Sequence, residues 1–378
     1  MTPYGGLTFF CVLALVLIPA VVLGLMGRGL RRYGVLATVA LLLVIFDTAH
    51  ARLLLLIFWV WQLALGGLSA ALHRRSIGRW VRGCLVALAL LPLAAFKIAA
   101  LLPGLSVSFL GISYMTFRAV DALLDVWDGK VERFSPLDYS CFLLFAPAVS
   151  SGPLDRYRRF VGDLYRPVSG SEYAELVRDG VWRVMTGCLY YFVFGNLIWH
   201  FWLEALPDGG AGYWIGYFYG YTFFMFFNFA GYSRMAIGTA YLLGIRLPEN
   251  FNRPFRSVDM KEFWANWHIS LSSWLRDRVY NRFCMAAIRK KWFRNPHTSA
   301  YLANLLTMTL MGLWHGLTPG YLVYGLYHGA VLCGNELLDT RWKAFKKLKK
   351  RPLPRAVMTV VTFHLFAFGL LLFSGQLL

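Results

Sequence analysis

Acidic side chains are scarce in this chain. Its 378 residues hold 19 Asp and Glu against 38 Lys and Arg, a net charge of +19, and only 15% of all residues are charged. Soluble domains carry about 25% charged residues, so a soluble globular protein is excluded. The basic surplus lies in short loops between apolar runs, the pattern of cytoplasmic loops rather than of a nucleic-acid-binding face. Cysteine is sparse too. The six, at 11, 84, 141, 188, 284 and 333, lie mostly in apolar runs without C-x-x-C spacing, which excludes a disulfide framework and a zinc site. No G-x-S-x-G, H-E-x-x-H or glycine-rich phosphate loop is present, so no covalent nucleophile of those types is expected. Repeated halves and midplane coupling charges, which a transporter would need, are also missing.

What is abundant is apolar: 58% of residues are hydrophobic. The sequence predicts an all-α polytopic membrane protein with about ten or eleven transmembrane helices plus re-entrant and interfacial helices. Basic loops set the expected topology. The run 7–25 leads to Arg28, Arg31 and Arg32; 33–46 returns; 53–72 leads to Arg74, Arg75, Arg79 and Arg82; 83–102 returns, with a kink at Pro92 and Lys97 snorkelling. The flank before residue 7 has no basic side chain, the reverse of a signal peptide, so that run is expected to stay attached with the N-terminus outside. Later spans are expected at 181–203, 213–229, 301–331 (out and back) and 356–373, which leaves the C-terminus outside as well. One domain, 1–378, is expected, with N-terminal helices to 103, a core over 105–335 and the last helix at 356–373.

Four stretches carry chemistry or unusual polarity. Residues 109–134 place Arg118, Asp121 and Asp125 at i, i+3 and i+7, one helical face, which serves either a paired structural network or catalysis. Residues 135–160 are too short to span and are broken by Pro147, Ser150, Ser151, Gly152 and Pro153, so a re-entrant segment is expected; Arg156, Arg158 and Arg159 after it read as an interfacial anchor or an anion site. In residues 259–297, Trp264, Trp267, Leu271 and Trp274 form one apolar face with His268 at its edge, an amphipathic helix near the inner interface. Gly216 and Gly220 form a G-x-x-x-G packing face.

The fourth stretch, 301–331, is two apolar segments hinged at 316–320, with Trp314-His315-Gly316 at the hinge. An imidazole at the end of a membrane helix is costly and faces a cavity and a task more often than lipid. With no nucleophile beside it, His315 reads as a general base for direct group transfer, deprotonating a hydroxyl that attacks an activated carbonyl. The alternative is a packing histidine. His328, within G-L-Y-H-G, reads as an interhelical hydrogen-bond donor.

The pair W-H-I-S at 267–270 and W-H-G at 314–316, together with GISYMTF at 111–117, SSGPLDRYRRF at 150–160, PENFNRPF at 248–255 and DMKEFW at 259–264, resembles the membrane-bound O-acyltransferase (MBOAT) family, most closely its teichoic acid D-alanyltransferase branch. The resemblance implies a ring of helices with a central tunnel in the bacterial cytoplasmic membrane. It implies D-alanine transfer from a phosphopantetheine thioester on a small acidic D-alanyl carrier protein to an outward-facing teichoic or lipoteichoic acid hydroxyl, with accessory membrane proteins. His315 matches the family's catalytic histidine and His268 its second signature histidine. Val279, Arg282, Phe283, Met285, Arg289 and Lys290 are the expected carrier dock. Trp314, Ser150, Ser151, Arg118 and Asn250 are candidate tunnel or substrate-lining residues. The lipid bilayer is the other expected partner; nucleic acid is not. A polysaccharide O-acetyltransferase of the alginate type is the alternative, disfavoured by Arg234 where such relatives carry an acidic residue. A carrier receptor or transporter without acyl-transfer chemistry is the alternative of another class.

Overall fold

The computed structural model describes all residues except 76, 77, 103–108, 132, 350 and 378, so the boundary expected at 103–105 lies outside the described residues. Regular structure among the described residues is helical, with one isolated bridge between Phe251 and Trp267. Among the described residues, five helices are long and apolar enough to cross a membrane: Leu7–Leu25, Ala49–Arg74, Trp80–Ala99, Gly170–Leu203 and Pro352–Phe373. Leu7, Leu15 and Ile18 on the first of these, and Val357 and Val360 on the last, are exposed, as side chains facing lipid should be. This is an all-helical, multi-pass membrane protein. It divides into two compact units, Met1–Leu189 with Gly231–Pro248, and Tyr190–Ala230 with Glu249–Leu378.

The first unit contains α1 (Leu7–Leu25), α2 (Arg31–Ile45), α3 (Ala49–Arg74), α4 (Arg79–Ala99), α5 (Ile112–Trp127), α6 (Pro136–Leu143), α7 (Tyr157–Tyr165) and α8 (Gly170–Cys188). At its centre is α5, buried from Ile112 to Val126 except at Ser113. The chain enters α5 through Gly111 at φ +78°, where a Cβ would stand 2.3 Å from the Val149 carbonyl oxygen. Only glycine tolerates both the left-handed backbone and that approach.

The polar face of α5 holds the folded-back segment behind it. Arg118 donates to the carbonyls of Phe142 (3.4 Å), Leu143 (3.3 Å) and Ala148 (2.5 Å), satisfying acceptors that the end of α6 and the turn at Ala146–Ala148 leave open. Asp121 accepts from Arg156 Nη1 at 2.8 Å and from the Tyr157 N–H at 3.3 Å, a carboxylate at the N-terminus of α7. Arg159 binds Asp155 and Asp163. Arg118 and Asp121 therefore pair with the re-entrant segment and the start of α7, Asp125 pairs with Lys130 just past α5 at 3.6 Å, and two of the three arginines after that segment are spent on internal pairs.

The helix containing the span expected from 181 starts earlier, in polar sequence. Ser169 accepts the Glu172 N–H at 3.2 Å, the first half of an S-x-x-E capping box, so the helix begins at Gly170. Its path runs on through π turns and the short α9 (Asn196–Ile198) to Leu203. The following α10 (Gly210–Leu242) is one helix of 33 residues, longer than the 213–229 span expected.

The second unit corrects another expectation. The amphipathic helix of residues 259–297 is broken into α11 (Met260–Asn266), α12 (Ile269–Leu275) and α13 (Asn281–Arg289). Trp264, Trp267, Leu271 and Trp274 are buried, so the first half of the stretch is packed inside protein instead of resting on an interface. The break falls at Trp267–His268, where backbone bonds from Asn252 N to Asn266 O and from Ile269 N to Asn250 O, each 3.0 Å, pull the chain out of helical register. Then α14 (Pro296–His315) and α15 (Pro319–Arg341) form a close hairpin. A Cβ on Gly312 would lie 2.2 Å from the Tyr321 carbonyl and one on Gly325 2.6 Å from that of Met308, the backbone proximity that small residues permit in lipid. Gly216 and Gly220 instead make room for the side chains of Leu206 and Leu203. The short α16 (Lys343–Leu348) and α17 (Pro352–Phe373) complete the unit. The basic loop before α17 is tied down by Lys349, which bonds Asp259 (2.5 Å) and Asp339 (2.7 Å).

Candidate active site

His315 is the last residue of α14, and Thr318 and Pro319 start α15 three residues on. That turn is tight because Gly316 has no side chain; a Cβ there would meet the Tyr321 ring at 2.3 Å. The half-buried imidazole is held by four aromatic rings: Trp314 at 4.4 Å, Phe373 at 4.9 Å edge to face, and Tyr321 and Tyr324 each at 6.1 Å between centroids. An imidazole so fixed loses little rotational freedom when it meets a hydroxyl.

His268 also contacts the Trp314 ring. Its backbone is left-handed (φ 45°) and it is buried against Phe229 at 4.6 Å and Trp314 at 6.3 Å. Such a backbone conformation in a non-glycine residue needs surrounding structure to enforce it. Asn250 supplies that. Fully buried, its side-chain oxygen accepts from Ser270 N (3.2 Å) and Ser270 Oγ (2.6 Å), while its carbonyl takes the Ile269 N–H. His268 lies outside every candidate span, and burial pulls its pKa down to about 3, so it is neutral at physiological pH.

The second unit thus brings together His268, Trp314, His315 and Asn250. Ser150, Ser151 and Arg118 belong to the first unit. There Ser150 is hydrogen-bonded to the Tyr232 hydroxyl, Ser151 is half-buried, and Arg118 is committed to backbone carbonyls. Arg234 donates to Thr186 Oγ1 at 2.8 Å. Neither ring nitrogen of His328 has a hydrogen-bond partner among the described residues; in place of the interhelical hydrogen bond expected, Trp264, Tyr324 and Tyr327 enclose the ring. No three His, Cys, Asp or Glu side chains among the described residues are grouped to hold a metal ion.

The expected dock is a short amphipathic element. Met285, Arg289 and Lys290 are exposed, Val279, Arg282 and Phe283 half-buried. Phe283 packs edge to face on Trp292, and Lys290 lies over the same indole at 5.5 Å. Ile288, 64% exposed, extends the apolar face of Met285. Its i, i+3 spacing from Met285 places it on the same side of α13. Phe373 beside His315 had no signal at all, since it comes from a different helix.

Known proteins align with this chain over its whole length. It is 38% identical to the teichoic acid D-alanyltransferase of Bacillus subtilis (strain 168), across all of this chain and 98% of that one. It is 34% identical to the protein of the same name from Streptococcus thermophilus, across all of this chain and 96% of the relative. Similarity to the probable alginate O-acetylase AlgI of Pseudomonas aeruginosa is 32%, over 71% of this chain and 49% of that protein. The profile of the membrane-bound O-acyltransferases matches residues 48–374. On that coverage, the chain is an acyltransferase and belongs to the membrane-bound O-acyltransferase family.

Proposed function

We propose that this acyltransferase moves D-alanine from a phosphopantetheine thioester on a small acidic carrier protein to a hydroxyl of teichoic or lipoteichoic acid. The observation that carries the reading is His315, half-open at a helix end inside a ring of four aromatic side chains. The end-to-end likeness to teichoic acid D-alanyltransferases supports the choice of acyl group and acceptor. His315 removes the acceptor hydroxyl proton as the oxygen attacks the thioester carbonyl. The C–O bond forms, the C–S bond breaks, and the imidazolium returns the proton to the departing thiolate. His268, neutral and buried, is a second group in the same pathway, and Trp314 touches both rings. The carrier docks on Met285 and Ile288, steered by Arg289 and Lys290. Accessory membrane proteins of the same pathway help bring the acceptor hydroxyl within reach, and the basic loops face the cytoplasm with both termini outside.

The test is thioester turnover by the purified chain with carriers bearing radiolabelled D-alanyl or acetyl groups. His315-dependent turnover of the D-alanyl carrier is expected. Preference for the acetyl carrier would make the chain a polysaccharide O-acetylase of the alginate type. Turnover unchanged in His315→Ala would remove the proposed base.

A further inference from the structure

Inside the first unit, between α2, α6, α7 and the start of α8, is a cavity of about 330 Å³ that the acyl-transfer reading does not use. Its two zones differ in chemistry. Val35, Val39 and Leu42 of α2 face Leu144 and Phe145 across an apolar interior, whereas Arg28, Arg31 and Arg166 stand among the lining at the other end. From Arg31 to Leu42 the wall rises about 16 Å along α2, close to half of a ~30 Å hydrocarbon core. Val39 and Leu137, each about half exposed, bound its flank, so it opens sideways to lipid.

The charge at the mouth favours an anion. Asp163, the carboxylate in the lining, is already taken by Arg159 and by the Arg246 N–H. Arg31 and Arg166 share their charge with Asp138 and Glu172. Arg28 has no ion pair or hydrogen bond to another described side chain, and the N-terminus of α2 beside it has no side-chain cap. Thr38, 7% exposed, also lines the cavity, and its hydroxyl makes no hydrogen bond among the described residues. We infer that this cavity binds one anionic glycerophospholipid from the leaflet that meets the basic loops, its phosphate at Arg28 and Arg31 and one acyl chain lying along α2. The inference is independent of the acyl donor and acceptor.

Gly34 lines the cavity, and a Cβ on it would meet nothing within 4 Å, so a side chain there starts into open space and Gly34→Phe occupies part of the cavity. The full chain in detergent would be titrated with phosphatidylglycerol or phosphatidylcholine of identical chains and read by native mass spectrometry. One phosphatidylglycerol should bind ahead of phosphatidylcholine by about fivefold, and Arg28→Glu, at an exposed side chain, should erase that preference. Gly34→Phe should weaken the first lipid by about tenfold, the loss expected from displacing two chain methylenes. Equal binding of the two lipids by the wild type, or unchanged binding in both variants, would overturn the assignment. Displacement of the lipid by equimolar inorganic phosphate would overturn the acyl-chain part, since chainless anions should not compete.

Discussion

The indole of Trp314 stands edge to face against the imidazole of His268, centroids 6.3 Å apart and planes at 80°, and the same indole packs on the His315 ring at 4.4 Å. One side chain therefore sets the position of both signature histidines. Trp314→Ala should lower single-turnover transfer by about 10²-fold through misplacement of the base, with carrier affinity unchanged, while Trp314→Phe keeps most of the rate. Equal rates in wild type and Trp314→Ala would show that the indole positions nothing.

Asn250 pins the backbone just after His268 through Ile269 and Ser270. Asn250→Ala removes the side-chain oxygen that accepts from both the buried N–H and the hydroxyl of Ser270, at a cost of about 1–3 kcal/mol. Ser270→Ala removes only one of those bonds and should cost less. The readout is the thermal midpoint in detergent, and the order of the two variants is the prediction; the reverse order would refute it.

The acid side of the stability profile should carry the mark of His268. Folded, it stays neutral down to about pH 3; unfolded, it takes a proton below about 6.5. The unfolded chain thus binds more protons in that window, and stability, fully present above about pH 6.5, falls as the pH is lowered toward 3. The thermal midpoint of His268→Gln should fall less steeply than wild type over the same range. Parallel curves would mean that the imidazole is not held neutral.

At the proposed dock, Arg289→Glu combined with Lys290→Glu should weaken carrier binding more at low than at high ionic strength. Met285→Asp should weaken it at every salt concentration, because its contribution is apolar. Titration calorimetry with the acylated carrier separates the two, and salt-independent loss in the charge-reversed variant would contradict steering.

A Cβ on Gly369 would lie 2.1 Å from His328 Nε2, and that ring cannot retreat from Trp264 at 5.1 Å and Tyr324 at 4.7 Å. Gly369→Ala should therefore destabilise by about 1–3 kcal/mol, and adding His328→Ala should recover part of the loss. Additive effects in this double-mutant cycle would show that the two sites do not press on each other.

Hydropathy and loop charge, read along the sequence, determined the class of protein, the bounds of α1 to the residue and the α14–α15 hinge with His315 at its tip, because these depend on local composition and on side chains a few positions apart. Short motifs determined the family for the same reason. Tertiary structure alone decided the rest. The helix expected through Trp267 breaks because Asn250, seventeen positions earlier, offers acceptors that compete with the helix; Arg118 and Asp121 choose partners across the fold instead of each other because a folded-back segment brings open carbonyls and a helix N-terminus to them. Phe373 reaches His315 only when α17 packs against α15. Each of these is a contact between distant parts of the chain, and its energy exists only once the backbone has brought those parts together.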